Sequence, residues 1–213
     1  MDFMALVDGS SAVIVFGGTA LATLLRCGFA DVGVALGRVA RLPGRRFSAD
    51  RARASLAAQV QAIQRDGLLR AAPQHLGDAE FDEATDALIA TRSVAALLER
   101  HDSHRARRLV ESERATQTLA QAAELAPVFG LAGTLVSLSQ LPGGGVVAAG
   151  LTAAISMAVL TTLYGLLAAN LLLAPLARIV ERAALAEEAG RQEVIEWLAQ
   201  QLAERPPMVR RAA

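Results

Sequence analysis

A long uncharged segment constrains this chain more than any other feature. No Asp, Glu, Lys, Arg or His occurs from Leu125 to Ala177, and Pro142 with the three glycines after it divides the segment into two arms. A helix rises about 1.5 Å per residue, and the hydrocarbon core of a bilayer is roughly 30 Å thick. The arms are therefore long enough to cross a membrane, turn and return, and we predict a transmembrane hairpin.

The predicted hairpin is nevertheless rich in small polar side chains. Ser, Thr, Tyr and Asn occupy positions 134, 137, 139, 152, 156, 161, 162, 164 and 170. Hydroxyl groups can line a path for a small ion, but none of these side chains titrates near neutral pH. We therefore expect any ion-binding carboxylate to come from a partner protein.

Charge is segregated in this chain rather than scarce. Hydrophobic residues make up 53% of the 213 residues, yet charged residues still make up 20%. The formal net charge is zero, which gives no reason to expect a nucleic-acid partner. Cys27 is the single cysteine, so an intramolecular disulfide is excluded. We expect one chain that combines a membrane part with a water-exposed part.

A second apolar run, from Gly9 to Leu25, predicts one more membrane helix. No basic segment precedes it and no cleavage site follows it, so we interpret it as a retained anchor. Arginines follow this run at positions 26, 38, 41, 45, 46, 51 and 53, and none precedes it. The positive-inside rule then predicts an outside N-terminus and a cytoplasmic C-terminus.

The predicted fold is all-α, a polytopic membrane protein with three transmembrane helices and a helical cytoplasmic domain. The predicted segments are a periplasmic N-terminus (1–8), a first membrane helix (9–28), a helical cytoplasmic domain (29–124), the hairpin (125–177) and a cytoplasmic helix and tail (178–213). Apolar spacings of three, four and seven predict the cytoplasmic helices, with breaks at 43–44 and 67–77. We expect one long helix from His104 into the hairpin, kinked at Pro127, and another from Arg178 to Glu204.

Neither catalysis nor metal binding is indicated by the pattern of residues. His101 and His104 are one helical turn apart, but with Asp102 and Ser103 between them they resemble a solvated helix junction more than a metal site. No nucleophile, base and orienting group converge in the sequence. We predict no enzyme, no cofactor and no metal.

Small residues on the first arm fall within one narrow arc of a helix: Ala126, Gly130, Thr134 and Ser137. Such a stripe is typical either of a contact between helices or of a pore wall, and both readings stay open. On the second arm, Thr161 points nearly opposite to a face that carries Thr152, Ser156 and Asn170.

Two segments of the hairpin resemble the stator channel family of MotA and PomA, with the wider TolQ and ExbB proton channel superfamily behind it. Glu124 to Leu138, ELAPVFGLAGTLVSL, is similar to the family's third-span signature, an acid followed by APxxGxxGTLxxL. Met157 to Pro175, MAVLTTLYGLLAANLLLAP, is similar to the fourth-span signature. The run from Val7 to Thr19 resembles the start of the family's second span.

The resemblance implies a homo-oligomer, a pentamer in this family, around the single spans of MotB-type partner chains whose aspartate binds H⁺ or Na⁺. It implies an ion route bordered by Thr134 and by Thr161 or Thr162. Conformational hinges are implied at Pro127 and Pro175. The candidate packing residues within the two signatures are Gly130, Gly133 and Gly165.

Two departures from the family pattern leave the output of the channel open. MotA and PomA carry a further span before the one matched here, whereas three spans with an outside N-terminus is the ExbB and TolQ layout. The family's rotor-facing Arg and Glu align near Gln64 and Ala72, so the nearby Arg65 and Arg70 become the rotor-facing candidates. We interpret the chain as a MotA-like flagellar stator subunit of the bacterial inner membrane. The alternatives are an ExbB- or TolQ-like energiser of envelope transport with an ExbD-type partner, and a scaffold that does not conduct.

Overall fold

A computed structural model of the chain describes residues 8–44, 47–66, 78–140 and 148–203. Within these ranges all regular structure is helical and no strand occurs, which confirms the all-α prediction. The helices are α1 (Gly9–Arg41), α2 (Ala49–Asp66), α3 (Ala79–Thr91), α4 (Val94–Ser139) and α5 (148–203). The three longest, α1, α4 and α5, are each long and apolar enough to cross a membrane, as predicted.

The helix α4 passes through Pro127 without interruption, as the sequence predicts, but it begins ten residues before His104. It is separated from α3 at Arg92, whose backbone is left-handed with φ 56°. A left-handed residue cannot continue a right-handed helix, so α3 ends there even though neither Gly nor Pro marks the break. The first turn of α4 then starts with a hydrogen bond from Ala96 N to the Ser93 carbonyl.

The chain divides into two compact units, which we describe separately. The membrane unit consists of Met1–Pro43 and Glu111–Arg182, and the charged unit consists of Gly44–Val110 and Ala183–Ala213. Helices α4 and α5 contribute residues to both units. The membrane unit contains α1 in full, α4 from residue 111 onward and α5 as far as residue 182. The described part of the charged unit contains α2 and α3 in full.

In the membrane unit, α1 runs antiparallel to α4. Gly18 lies against the ring of Phe129, and the Cys27 thiol lies 3.1 Å from the Gln121 side-chain oxygen. Further along α1, Arg38 pairs with Glu111 at 3.1 Å. Buried apolar residues, three of them alanines, fill the space between α1, α4 and α5 near this end: Ala35, Ala115, Leu119, Ala177 and Val180.

Two local distortions interrupt α1. Gly28 has φ 83° and ψ 163°, a conformation that is essentially restricted to glycine, and it kinks the helix. Nearer the N-terminus, Val13–Gly17 forms a π-helical turn. A second π-helical segment, Ala168–Leu173, joins Ala148–Leu167 to Ala174–Ala203 within α5.

The charged unit has a core of large apolar side chains from four helices. Its fully buried members include Leu56 of α2, Leu88 of α3, Leu97 of α4 and Ile195 of α5. The ring of Phe81 is also buried, and Phe47 stacks on it with centroids 5.8 Å apart. This core is the kind that water-exposed helical domains use.

Candidate functional site: the hairpin of α4 and α5

The two hairpin helices approach most closely at three glycines. A Cβ atom on Gly165 would lie 2.7 Å from the Ala126 carbonyl oxygen and 3.0 Å from Gly130 Cα. A Cβ atom on Gly133 would lie 2.7 Å from the side chain of Thr161. The structure thus brings all three candidate packing glycines to one contact, where a side chain would force the helices apart.

The three candidate ion-route threonines all donate their hydroxyl protons to carbonyls of their own helices. Thr134 Oγ1 donates to Leu131 O at 2.6 Å. Thr161 and Thr162 donate to the same oxygen, Ala158 O, at 3.0 and 3.1 Å. The donor of each hydroxyl is therefore occupied, and its oxygen remains available to accept a proton donor or to coordinate a cation.

These threonines differ in exposure. Thr161 is 0% exposed because it packs beneath Gly133, whereas Thr134 and Thr162 are half-buried. Only the latter two therefore present surface on a single chain. The opposite face of α5 has exposed polar side chains at Thr152, Ser156 and Asn170, on the side the sequence separates from Thr161.

The two candidate hinge prolines occupy different surroundings. Pro127 lies at the glycine contact, where its Cα is 3.2 Å from the position of a Cβ on Gly165. Pro175 follows two residues after the π-helical segment Ala168–Leu173. Proline has no N–H to donate, so the backbone hydrogen bonds of a helix must rearrange locally around it. A π turn is one such rearrangement. The sequence analysis did not predict this π segment, although Pro175 indicates that the hydrogen bonding of the helix changes nearby.

Asp8, at the start of α1, lies close to the hairpin. The Asp8 backbone N–H donates to Tyr164 Oη at 3.1 Å, and the Asp8 side chain caps α1 by accepting from Ser11 N at 2.9 Å. Hydrogen bonds from the Ser11 and then the Ser10 hydroxyl hold the pKa of Asp8 at about 2. Asp8 is therefore ionised at neutral pH, and its oxygens accept hydrogen bonds from Ser10 and Ser11.

His101 and His104 differ from the sequence prediction in their exposure to solvent. His101 and His104 are buried rather than solvated, because α4 packs against other helices at this level. His104 Nε2 lies 3.0 Å from Glu83 of α3, and His101 Nε2 lies 3.2 Å from the Gln192 oxygen of α5. Across the described ranges no group of three or more His, Cys, Asp or Glu residues could hold a metal ion.

The rotor-facing candidates fall largely beyond the described residues. Arg65 lies in the last turn of α2, where the structure describes the backbone alone. Arg70 lies in 67–77, outside the described ranges. Their role stays a prediction.

Known proteins share the fold and part of the sequence pattern of this chain. Among the solved structures that share the fold is MotAB of C. jejuni, with TM-score 0.80 and 18% identity over 94% of this chain and 81% of that one. Another is the flagellar MotAB stator complex from Bacillus subtilis, with TM-score 0.83 and 20% identity over 98% of this chain and 84% of that one. No curated protein matches the sequence. Residues 68–193, more than half of the sequence, match a single family. The chain belongs to the MotA/TolQ/ExbB proton channel family.

Proposed function

We propose that this chain is the channel subunit of an ion-driven stator of the MotA type. The hairpin carries the proposal, because it is closely packed, uncharged and supplied with hydroxyl oxygens, yet holds no group that titrates near neutral pH. The fold shared with two MotAB complexes supports it. A single-span partner of the MotB type then supplies the aspartate that binds the ion.

In this proposal the transported H⁺ or Na⁺ neutralises the partner's aspartate beside the half-buried oxygens of Thr134 and Thr162. A buried charge interacts strongly with its surroundings, so its neutralisation changes which arrangement of the hairpin is favoured. Thr161 contributes by packing against Gly133, because its buried side chain does not contact the ion while α4 and α5 are closely packed. Pro127 and the π segment before Pro175 are the places where the helices bend.

The expected assembly is a pentamer in the bacterial inner membrane, as the family resemblance implies. Large apolar side chains are exposed on a single chain, among them Phe29 and Leu25 of α1 and Leu131 and Leu135 of α4. Lipid and neighbouring copies would cover these faces. Chemical crosslinking of the purified protein should therefore stop at a closed ring rather than at a monomer.

We propose that the N-terminus lies outside and the charged unit lies in the cytoplasm. In a Cys27→Ser background, a cysteine at Asp2 should react with an impermeant maleimide on intact cells. A cysteine at the exposed Gln61 should react only after the inner membrane is opened. Labelling of both positions from the same side would contradict this topology.

The proposed output is rotation of the flagellar rotor. Deletion of the gene in its native host should leave flagella assembled but motionless, and a transport defect with normal swimming would favour the ExbB or TolQ alternative. Charge reversal at Arg65 and Arg70 should reduce torque without changing ion flux. Arg51→Glu, at an exposed position on the same α2 helix, is the matched control and should swim normally.

The hinge proposal is tested separately. Pro127→Ala and Pro175→Ala each restore a backbone donor that the native helix lacks, so assembly should remain intact while motor output is lost. Pro43→Ala, in the turn after α1, serves as a control. Full output from the Pro127→Ala, Pro175→Ala double variant would show that neither bend needs proline.

A further inference from the structure

The buried His101 of the charged unit has a defined hydrogen-bonding state. Its Nε2 is 3.2 Å from the Gln192 side-chain oxygen. The Gln192 amide nitrogen donates to Glu196 at 2.9 Å, which fixes the amide with its oxygen toward the histidine. An amide oxygen can only accept, so His101 Nε2 carries a proton and donates it to Gln192.

The charged groups around His101 do not provide a free counterion for an imidazolium. Glu188 of α5 is 3.9 Å away, but Arg108 of α4 already forks onto it with contacts of 3.0 and 3.1 Å. Arg105 adds a contact of 3.6 Å to the same carboxylate. Asp102, the neighbour of His101 on α4, is exposed to solvent. The nearest anion is thus shared between two arginines before His101 is protonated.

The same arginine connects His101 to α3. Arg108 forms a close ion pair with Glu80 in the first turn of α3. Arg107 contacts Glu80 at 3.3 Å and Arg191 of α5 contacts it at 3.5 Å. A positive charge on His101 would repel Arg108 as well as compete with it for Glu188, and would so disturb the arginine that binds Glu80 of α3.

Burial disfavours the charged imidazole and lowers the pKa of His101, and the Arg108 charge acts in the same direction against the contributions of Gln192, Glu188 and Asp102. A histidine with a lowered pKa in the folded state contributes stability that is fully present above about pH 6.5. That stability is lost as the pH falls below 6.5 toward the folded pKa. In this window an opening that exposes His101 takes up as much as one extra proton, which raises the local opening constant by up to about tenfold per pH unit.

We propose that His101 makes the charged unit an acid sensor: its protonation releases α3 from the ion-pair network of Arg108, Glu80 and Glu188. On the proposed topology the sensed compartment is the cytoplasm. If the transported ion is H⁺, inflow acidifies this side and weakens the charged unit, so the sensor would limit the channel's own activity. That feedback rests on the proposed function, whereas the sensor itself does not.

Hydrogen exchange of the full-length purified protein tests the sensor without a partner or an ion gradient. Protection of α3 (Ala79–Thr91) is measured at pH 7.5, 6.5 and 5.5 and corrected for the intrinsic exchange rate. The wild type should lose protection below pH 6.5 by up to about tenfold per pH unit. His101→Gln, which keeps a neutral polar side chain, should remove this dependence. The third histidine, His75, is the control, and His75→Gln should behave as the wild type.

Three outcomes would overturn the proposal: no pH dependence in the wild type, an unchanged dependence in His101→Gln, or loss of the dependence in His104→Gln alone. Should His101→Gln fail to fold, NMR of the wild-type protein labelled with ¹³C at the histidine ring provides the second test. The His101 resonance should titrate below pH 6.5, and titration at or above that value would overturn the proposal. Either result leaves the channel proposal standing, because ion flux enters neither measurement.

Discussion

The charged unit and the membrane unit are both helical, but they are packed by different means. The charged unit buries large side chains such as Leu56, Leu97 and Ile195. The membrane unit instead joins α4 to α5 through Gly130, Gly165 and an all-alanine cluster of Ala126, Ala168 and Ala169. Water drives large apolar side chains together, whereas lipid does not, so helices in a bilayer gain from close backbone approach.

The polar side chains of the two units also differ in whether they bond to another helix or to their own. In the charged unit Arg108 and Arg191 bind carboxylates on other helices and so connect α3, α4 and α5. In the hairpin the hydroxyls of Thr134 and Thr161 bond back to their own helices. Ion pairs between helices thus add to the apolar core of the charged unit, whereas these hairpin hydroxyls form no bond between the two arms. We therefore expect the hairpin to be the easier of the two to rearrange.

The largest expected effect comes from breaking the ion-pair network. Arg108→Ala leaves Glu80 and Glu188 with only the longer contacts, of 3.3 to 3.6 Å, to other arginines in a half-buried to buried site, which should cost about 3–5 kcal/mol of unfolding free energy. Denaturant unfolding of the full chain in detergent measures it. Arg114→Ala is the control, because Arg114 is exposed and 4.0 Å from Asp31, and it should change stability by less than about 1 kcal/mol. Equal costs would contradict the role given to the network.

The next largest effect is expected when a large side chain is truncated, because the loss of unfolding free energy should differ between the two units. Leu97→Ala empties a fully buried position of the charged unit and should cost about 2–5 kcal/mol. Leu135→Ala removes the same atoms from a position that is exposed on the single chain, where lipid or detergent can replace the lost contacts, and should cost under about 1 kcal/mol. The same denaturant series compares them. A Leu135 effect as large as that of Leu97 would mean that the hairpin depends on large side chains after all.

Adding one methyl group should destabilise the hairpin where its two helices are in close contact. Gly165→Ala places a Cβ 2.7 Å from a backbone oxygen of α4, so the helices must separate, at a cost of about 1–3 kcal/mol. Gly150→Ala, on the same α5 helix with nothing within 4 Å, should be neutral or stabilising by up to about 1 kcal/mol. Thermal unfolding followed by size-exclusion chromatography distinguishes the two. A tolerated Gly165→Ala would refute close backbone contact in the hairpin.

The smallest expected effect concerns the kink in α1. Gly28→Ala forces an L residue to φ 83° and should cost about 1–2 kcal/mol, although the space around it is open. Gly33→Ala, equally open but helical, should stabilise by up to about 1 kcal/mol. Opposite signs in thermal unfolding are the expected result. If both stabilise, α1 is straight at Gly28.

Sequence reasoning predicted what local patterns determine. Charge segregation and apolar spacing were enough for the all-α fold, for three membrane-length helices and for an unbroken helix through Pro127. The break at Arg92 was missed because an arginine in a left-handed conformation leaves no mark in the sequence. The π segment before Pro175 was missed because it depends on how the helix accommodates the proline.

The candidate site shows the same limit. The signatures pointed to residues of the hairpin, but they did not distinguish the buried Thr161 from the half-buried Thr134, because exposure depends on which face meets the other arm. The burial of His101 was missed for a similar reason. Its partner Gln192 lies 91 residues away on another helix, and no local spacing reports such a contact.

Ion flux through reconstituted protein tests the central claim most directly. Liposomes that contain this chain alone, the chain with its single-span partner, or the chain with a partner whose membrane aspartate is changed to asparagine are compared under a H⁺ or Na⁺ gradient. We predict flux only with the unaltered partner, because the hairpin from Leu125 to Ala177 has no group of its own that titrates near neutral pH. Flux through the chain alone, at the rate of the complex, would contradict it.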